Sequence, residues 1–182
     1  MSETPKRTAV TLDRVTNVAT LMACLAVCFA VGRQYVWPRN APPPVSGPAL
    51  PYNSGDRLQE LSKVNFAAAP QTVVLFVKST CHFCEMSMPF YQALSDNALR
   101  KNGAFRFVVV SSDAPAVTRD YLGQHKVGVD EIVSVTPGKT KVHGTPTLLV
   151  VDRNATVVNA WIGLLRNEGQ QQVLQQLAKR RT

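Results

Sequence analysis

Apolar residues in the C-terminal two thirds of the chain form two kinds of pattern, short continuous runs and longer segments of helical spacing. Thr72–Val77 is a nearly continuous run rich in β-branched residues, which predicts a buried strand over 72–78. Apolar residues then recur at helical spacing from Phe83 to Leu99, which predicts a helix over 82–100. Further strands are predicted at 105–110, 132–135, 147–151 and 156–161, and further helices at 116–124 and 167–180. This order, with a hairpin near its end, predicts an α/β fold with a mixed central sheet flanked by helices.

A long uncharged segment near the N-terminus has a different character. The eighteen residues 15–32 contain no charged side chain. As a helix they would span about 27 Å, close to the hydrocarbon thickness of a bilayer. Tyr35 and Trp37 follow, where a membrane-interface aromatic belt would lie. We therefore predict a transmembrane anchor at 15–32, with a cleaved signal peptide as the alternative.

The segments on either side of this predicted span suggest an orientation and a spacer. Three basic residues precede the span and two follow it before residue 40, so the positive-inside rule favours a cytoplasmic segment 1–14. Residues 33–54 are predicted to be a linker, because six prolines fall between positions 38 and 51. The globular domain is then 55–182, outside the cytoplasm on the periplasmic side of a single-pass membrane protein.

Charge and cysteine usage exclude several classes of function. The net charge of +8 is spread along the chain, without the basic stripe and aromatic platforms that nucleic-acid binding requires, so no nucleic-acid partner is expected. The four cysteines form two tight pairs, Cys24 with Cys28 and Cys81 with Cys84, rather than a scattered disulfide framework. No cysteine follows Cys84 to complete a zinc ribbon. The pattern therefore favours redox chemistry over a structural metal.

The second cysteine pair lies where the predicted buried strand passes into the first helix. A thiol at a helix N-terminus meets unpaired backbone N–H groups and the positive end of the helix dipole, which favour thiolate. Cys81 is predicted to be the exposed nucleophile, and Cys84, one turn further along, the buried resolving thiol. His82 either lowers the pKa of the nucleophile through its charge or is simply an exposed helix residue. The carboxylate of Glu85 would act in the opposite direction.

With its strand, Cys-x-x-Cys and helix, the domain resembles the thioredoxin superfamily, and more closely the membrane-tethered TlpA-type thiol–disulfide oxidoreductases. The resemblance covers about residues 55–180 and includes Pro89, where thioredoxins kink their first helix. Gly144–Thr147 is similar to the segment that holds the cis-proline loop of this family. Asp152 and Gly163 also fit the family pattern. The resemblance implies a thioredoxin-like fold.

The resemblance also implies roles for residues outside the dithiol. Thr145 and Pro146 would form the loop that faces the dithiol and receives the substrate chain, and Thr145 could tune the thiolate by a weak hydrogen bond. Two positions depart from the family pattern. Thr80 stands where thioredoxins usually have tryptophan, and Leu75 stands where they have a buried carboxylate that assists the second thiol. Assistance from a general base is therefore in question.

The resemblance implies a membrane-anchored, extracytoplasmic thiol–disulfide oxidoreductase, with reduction of protein disulfides slightly favoured over oxidation. Its partners would be proteins with disulfides or dithiols, the membrane, and a redox partner that recharges the dithiol. No cofactor or resident metal is expected.

Two other functions are alternatives. A copper chaperone of thioredoxin fold would bind Cu(I) through Cys81, Cys84 and His143, although such chaperones space their cysteines by three residues. Met86 would suit such a soft site, but core packing is its simpler explanation. A thiol peroxidase is the third candidate, although neither cysteine is preceded by the proline of that motif.

Overall fold

The computed structural model describes residues 21–27 and 51–179, which belong to separate compact units. Residues 21–27 are helical with exposed side chains. The rest of the predicted span 15–32, the segment 1–14, and the linker up to residue 50 lie outside the described residues. Within the described ranges, no helix has both the length and the apolar character needed to cross a membrane.

The domain over 51–179 alternates strands with helices in the predicted order. Two short 3-10 turns, Gln59–Leu61 and Phe66–Ala68, precede the first strand. The strands are β1 Gln71–Val77, β2 Phe105–Ser111, β3 Glu131–Ser134, β4 Thr147–Asp152 and β5 Val157–Ile162. The helices are α1 His82–Ser95, α2 Ala98–Lys101, α3 Pro115–Gln124 and α4 Asn167–Ala178.

The five strands form one mixed sheet in the order β3-β2-β1-β4-β5. β1 pairs parallel with β2, which pairs parallel with β3. β1 also pairs antiparallel with β4, which forms an antiparallel hairpin with β5. A strand at the centre of a covered sheet is buried on both faces, and all seven residues of β1 are buried. The predicted α/β fold with a mixed sheet is therefore confirmed.

Alternate side chains of β1 enter two separate cores. Leu75 and its neighbours in register point toward α1, α3 and α4, where they share a core with Cys84 and Met88. Phe76 points to the other face, where Tyr52 and the residues of the 3-10 turns cover the sheet. The dithiol therefore lies on the helical side of the central strand, at its C-terminal end.

The predicted helix 82–100 is two helices rather than one. α1 ends at Ser95, whose hydroxyl donates to the Gln92 carbonyl at 2.8 Å. Asn97 then caps α2, because its side-chain oxygen accepts a hydrogen bond from the Leu99 N–H at 2.9 Å. Asparagine favours an N-cap over a helix interior, which explains why the chain restarts here.

The core-facing side of α1 also differs from the prediction. Met86, expected to pack in the core, is 49% exposed, and Phe83 is 56% exposed. Met88 is only 1% exposed and takes the core position. The buried face runs through Cys84, Met88 and Tyr91, which follow one another at helical spacing and face the sheet. Two large apolar side chains of α1 are therefore left on its outer surface, beside the dithiol.

Candidate active site

The turn between β1 and α1 places both cysteines in the first helical turn. Cys81 is the N-cap of α1, and its sulfur accepts a hydrogen bond from the Cys84 N–H at 3.1 Å. Its own N–H donates to the Lys78 carbonyl at 3.0 Å, which closes the turn. An N-cap side chain normally accepts a hydrogen bond from a free N–H at the start of the helix, and here the Cys81 sulfur is that acceptor.

The two thiols differ in exposure and in acidity. Cys81 is partly exposed, whereas Cys84 is 0% exposed. Burial acts to raise the pKa of Cys81, but hydrogen bonds from the Cys84 thiol, the Thr145 side chain and backbone N–H groups outweigh it and lower that pKa. Burial, and then the hydrogen bond to Cys81, raises the pKa of Cys84 to about 12. The exposed thiol is therefore the more acidic of the pair, and the buried thiol holds its proton.

The loop before β4 brings Thr145 and Pro146 to Cys81. The Cys81 thiol donates to the Thr145 carbonyl at 3.3 Å, although the two residues are far apart in sequence. The Thr145–Pro146 peptide bond is cis. The loop is fastened at both ends, because the Thr147 hydroxyl donates to the Gly144 carbonyl at 2.8 Å and the Gly163 N–H donates to the Pro146 carbonyl at 2.7 Å. The two residues predicted to receive substrate thus lie beside Cys81.

The remaining predicted side chains lie on the surface around the dithiol. His82 is exposed, and its ring centroid lies 5.9 Å from that of Phe83. His143 is exposed in the loop that leads to Gly144. Across residues 21–27 and 51–179, no three or more His, Cys, Asp or Glu side chains come together as they would around a metal ion. The structure therefore does not join His143 to the two cysteines as a third ligand.

Two tyrosines share the core of the buried thiol, and the family's carboxylate is replaced there by Leu75. Leu75 is fully buried in the core that also contains Cys84, Tyr91 and Tyr121. Burial first, and then the nearby cysteines, raises the pKa of both tyrosines, so their hydroxyls stay protonated. The Tyr121 hydroxyl is buried and has no hydrogen-bond partner among the described residues. The hydroxyls of these two tyrosines are therefore in the form that can donate a hydrogen bond.

Asp113, which precedes the predicted helix 116–124, is a site residue that the sequence did not single out. Its carboxylate accepts a hydrogen bond from the Ser79 N–H at 2.7 Å, within the turn that carries Cys81. Its backbone carbonyl accepts from the Ser134 hydroxyl at 3.3 Å, at the end of β3. A polar residue directly after β2 was the available signal, because the carboxyl ends of parallel strands meet at one edge of a sheet.

Comparison with known proteins identifies the fold family. The model of the family described as thioredoxin-like domain matches residues 59–178, about two thirds of the chain. The chain belongs to the thioredoxin-like family. The family match confirms the resemblance to the thioredoxin superfamily. That resemblance was based on the dithiol, Pro89 and the Thr145–Pro146 loop. No curated protein matches this chain.

Solved structures with the same thioredoxin-like fold come from several bacteria. One from Chlorobium tepidum, proposed to be the thiol:disulfide interchange protein DsbE, is 22% identical, with a TM-score of 0.53 over 69% of this chain and 95% of that one. A thiol-disulfide isomerase from Corynebacterium glutamicum is 13% identical, with a TM-score of 0.52 over 64% and 86%. The thioredoxin domain of a thiol-disulfide oxidoreductase from Bacteroides vulgatus is 17% identical, with a TM-score of 0.50 over 72% and 96%. At these identities the likeness concerns the fold.

Proposed function

We propose that this protein is a thiol–disulfide oxidoreductase that exchanges disulfides with protein substrates through Cys81 and Cys84. The observation that carries the proposal is the asymmetry of the dithiol. Cys81 is partly exposed at the N-terminus of α1 and has a lowered pKa, whereas Cys84 is buried with a raised pKa. Membership of the thioredoxin-like family and the names of the structural neighbours support the same class of reaction.

The reaction begins at the exposed thiol. The Cys81 thiolate attacks one sulfur of a substrate disulfide, and the other substrate sulfur leaves as a thiolate that takes up a proton from water. Cys84 then loses its proton and attacks the Cys81 sulfur. The mixed disulfide breaks, the Cys81–Cys84 disulfide forms, and the substrate leaves as a dithiol. Two electrons pass from the protein to the substrate, and the reverse sequence oxidises a substrate dithiol.

Thr145 and Pro146 are assigned to substrate binding. Pro146 has no N–H, so the cis-proline loop leaves the backbone next to Cys81 available to an extended substrate segment. The Thr145 carbonyl, which accepts the Cys81 S–H in the free protein, is the acceptor nearest the reacting sulfur. His82 is assigned a lesser part, as an exposed imidazole one residue after the nucleophile.

Reduction of substrate disulfides is the proposed direction, with a separate dithiol protein recharging the site. The potential of the Cys81–Cys84 couple decides this, because about 30 mV corresponds to about 1.4 kcal/mol for a two-electron couple. Equilibration of the full-length protein against glutathione buffers measures that potential. A value well above the glutathione couple would reverse the proposed direction and leave the exchange chemistry in place.

The exchange mechanism is tested by substitution of the nucleophile. We expect Cys81→Ser in the full-length protein to abolish reduction of a protein disulfide such as those of insulin. Cys24→Ser is the matched control, since Cys24 is a free cysteine outside the domain that carries the dithiol, and it should keep the wild-type rate. Retained exchange activity in Cys81→Ser would show that the mechanism is wrong.

We further propose that residues 15–32 anchor the protein in a membrane, with the domain on the periplasmic side. The support is the uncharged segment 15–32 and the proline-rich linker after it. A membrane-impermeant thiol reagent applied to intact cells should label Cys81 in a variant that lacks Cys24 and Cys28. Labelling of Cys81 only after lysis would contradict this placement.

A further inference from the structure

An open cavity of about 240 Å³ lies at the C-terminal ends of β1 and β2, on the face of the sheet opposite α1. Phe76 and Val110 form its floor at the strand ends. The loop 135–145 forms its outer wall. The cavity adjoins the dithiol turn and is large enough for one long side chain together with part of the peptide that carries it.

Two residues that line the cavity also accept hydrogen bonds from Cys81. Lys78 lines the cavity, and its carbonyl accepts the hydrogen bond from the Cys81 N–H. Thr145 also lines the cavity, and its carbonyl accepts the hydrogen bond from the Cys81 thiol. A substrate segment that lies along Thr145 to present a disulfide to Cys81 would therefore pass the mouth of the cavity.

The charge of the cavity has one sign. Its ionisable side chains are Lys78 and His143, and no Asp or Glu lines it. Neither Lys78 nor His143 forms an ion pair with another residue of the described part of the chain. The negative carboxylate of Asp113 lies close by at the end of β2, where it accepts a hydrogen bond from the Ser79 N–H, but Asp113 does not line the cavity.

Hydroxyl groups add hydrogen-bond donors to this positive charge. Ser112, Thr136 and Thr140 line the cavity together with Lys78 and His143. Donors around a cation are the arrangement that a carboxylate needs, since an ionised carboxylate only accepts hydrogen bonds. An unpaired lysine at the rim also attracts anions over several ångströms before contact.

We propose that this cavity binds an acidic side chain that flanks the disulfide of the substrate protein, so that the enzyme selects disulfides in acidic sequence contexts. This inference rests on the proposed function. The carboxylate enters beside Lys78 while the neighbouring disulfide reaches Cys81 past Thr145. The interaction adds no step to the exchange reaction and changes only which disulfides react fastest.

The test compares blocked tripeptide disulfides that differ only in charge, the homodisulfides of acetyl-Xaa-Cys-Xaa-amide with Glu, Gln or Lys at both Xaa positions. Their second-order rate constants with reduced full-length protein are measured in single turnover. Each is divided by the rate constant of the same peptide with dithiothreitol, which removes the intrinsic reactivity of the disulfide. We expect the Glu peptide to react several-fold faster than the Gln peptide and the Lys peptide to react slowest.

Lys78→Gln should lower the Glu-to-Gln rate ratio by about threefold, in keeping with the energy of an exposed ion pair. Lys101→Gln is the matched control, because Lys101 is exposed just before β2, at the other end of the sheet, and its loss changes net charge equally. It should leave the ratio unchanged. His143→Ala provides a second variant from the outer loop and should lower the ratio as well.

Three results would overturn the inference. The first is equal normalised rate constants for the Glu and Gln peptides. The second is an equal change of the Glu-to-Gln rate ratio in Lys78→Gln and Lys101→Gln. The third is a wild-type Glu-to-Gln rate ratio in both Lys78→Gln and His143→Ala. Equal exchange of all three peptides would leave the proposed oxidoreductase function standing. Failure of every peptide to react with Cys81 would instead contradict the proposed function itself.

Discussion

Removal of the Asp113 carboxylate should loosen the turn that carries the nucleophile. In the native protein this carboxylate accepts the Ser79 N–H at 2.7 Å and so ties the end of β2 to the turn before α1. Asp113→Ala leaves the Ser79 N–H without that acceptor. Asp113→Asn keeps an oxygen in the same position while removing the charge, so it separates the effect of position from the effect of charge.

The size of the effect follows from the kind of hydrogen bond lost. A hydrogen bond to a charged group contributes about 1.5–3 kcal/mol. Asp113 is only half-buried, so water can partly replace it, and the lower end of that range applies. We expect Asp113→Ala to lower the free energy of unfolding by about 1.5–2 kcal/mol, and Asp113→Asn to lower it by less than about 1 kcal/mol. Urea denaturation of the two variants measures this.

The functional readout is the pKa of Cys81, followed by the ultraviolet absorbance of its thiolate against pH. That pKa is lowered in part by N–H groups of the first turn of α1. A looser turn holds these groups less firmly against the sulfur, so the pKa of Cys81 should rise in Asp113→Ala and stay close to wild type in Asp113→Asn. The rate constant for disulfide exchange at pH 7 should therefore fall in Asp113→Ala and stay close to wild type in Asp113→Asn.

The result that would refute this reasoning is a lowered pKa of Cys81 in both variants. Loss of a nearby negative charge favours thiolate, so that outcome would mean that Asp113 acts on Cys81 through its charge and not by positioning the turn. Unchanged stability of Asp113→Ala would equally contradict the structural role.

Three further predictions concern the buried thiol of Cys84 and the core. Cys84→Ala should accumulate a mixed disulfide between Cys81 and the substrate, which mass spectrometry detects after acid quenching. Release of substrate at the wild-type rate would contradict the role of Cys84. Burial raises the pKa of Cys84 to about 12, so the protonated Cys84 thiol supports the full free energy of unfolding below about pH 9. That free energy falls as pH rises toward 12, by up to about 1.4 kcal/mol per pH unit. Stability between pH 9 and 10 should therefore fall less in Cys84→Ala than in wild type. Met88→Ala should cost about 2–4 kcal/mol and Met86→Ala less than about 0.5, measured by denaturation; equal costs would mean that α1 faces the core differently.

Much of the domain could be predicted from local patterns because its strands are short and strongly apolar. β1 is buried on both faces, so its residues form the continuous apolar run that identified it. The boundary within the predicted helix 82–100 was missed because apolar residues continue on both sides of it, although the five-residue step from Leu94 to Leu99 does not keep helical spacing. Only the capping contacts of Asn97 divide the two helices.

Helical spacing also proved too coarse to decide which side of α1 faces the sheet. Phe83 and Met86 fit an apolar face as well as Cys84 and Met88 do, since the sequence supplies apolar residues around much of the helix. The position of the dithiol turn relative to β1 fixes the rotation of the helix. That rotation buries Cys84 and leaves Phe83 and Met86 exposed.

The sequence by itself determined the α/β class and the place of Cys81 and Cys84 at a strand-to-helix turn. These follow from neighbouring residues or from a motif whose spacing is visible in the chain. Only the tertiary structure decided which residues meet across the sheet edge. Asp113 reaches Ser79 because the sheet order places the ends of distant strands side by side. The family resemblance had placed Thr145 beside the dithiol, and the structure shows that its carbonyl is the group that meets the Cys81 thiol. Contacts of this kind depend on register and strand order, which no local pattern contains.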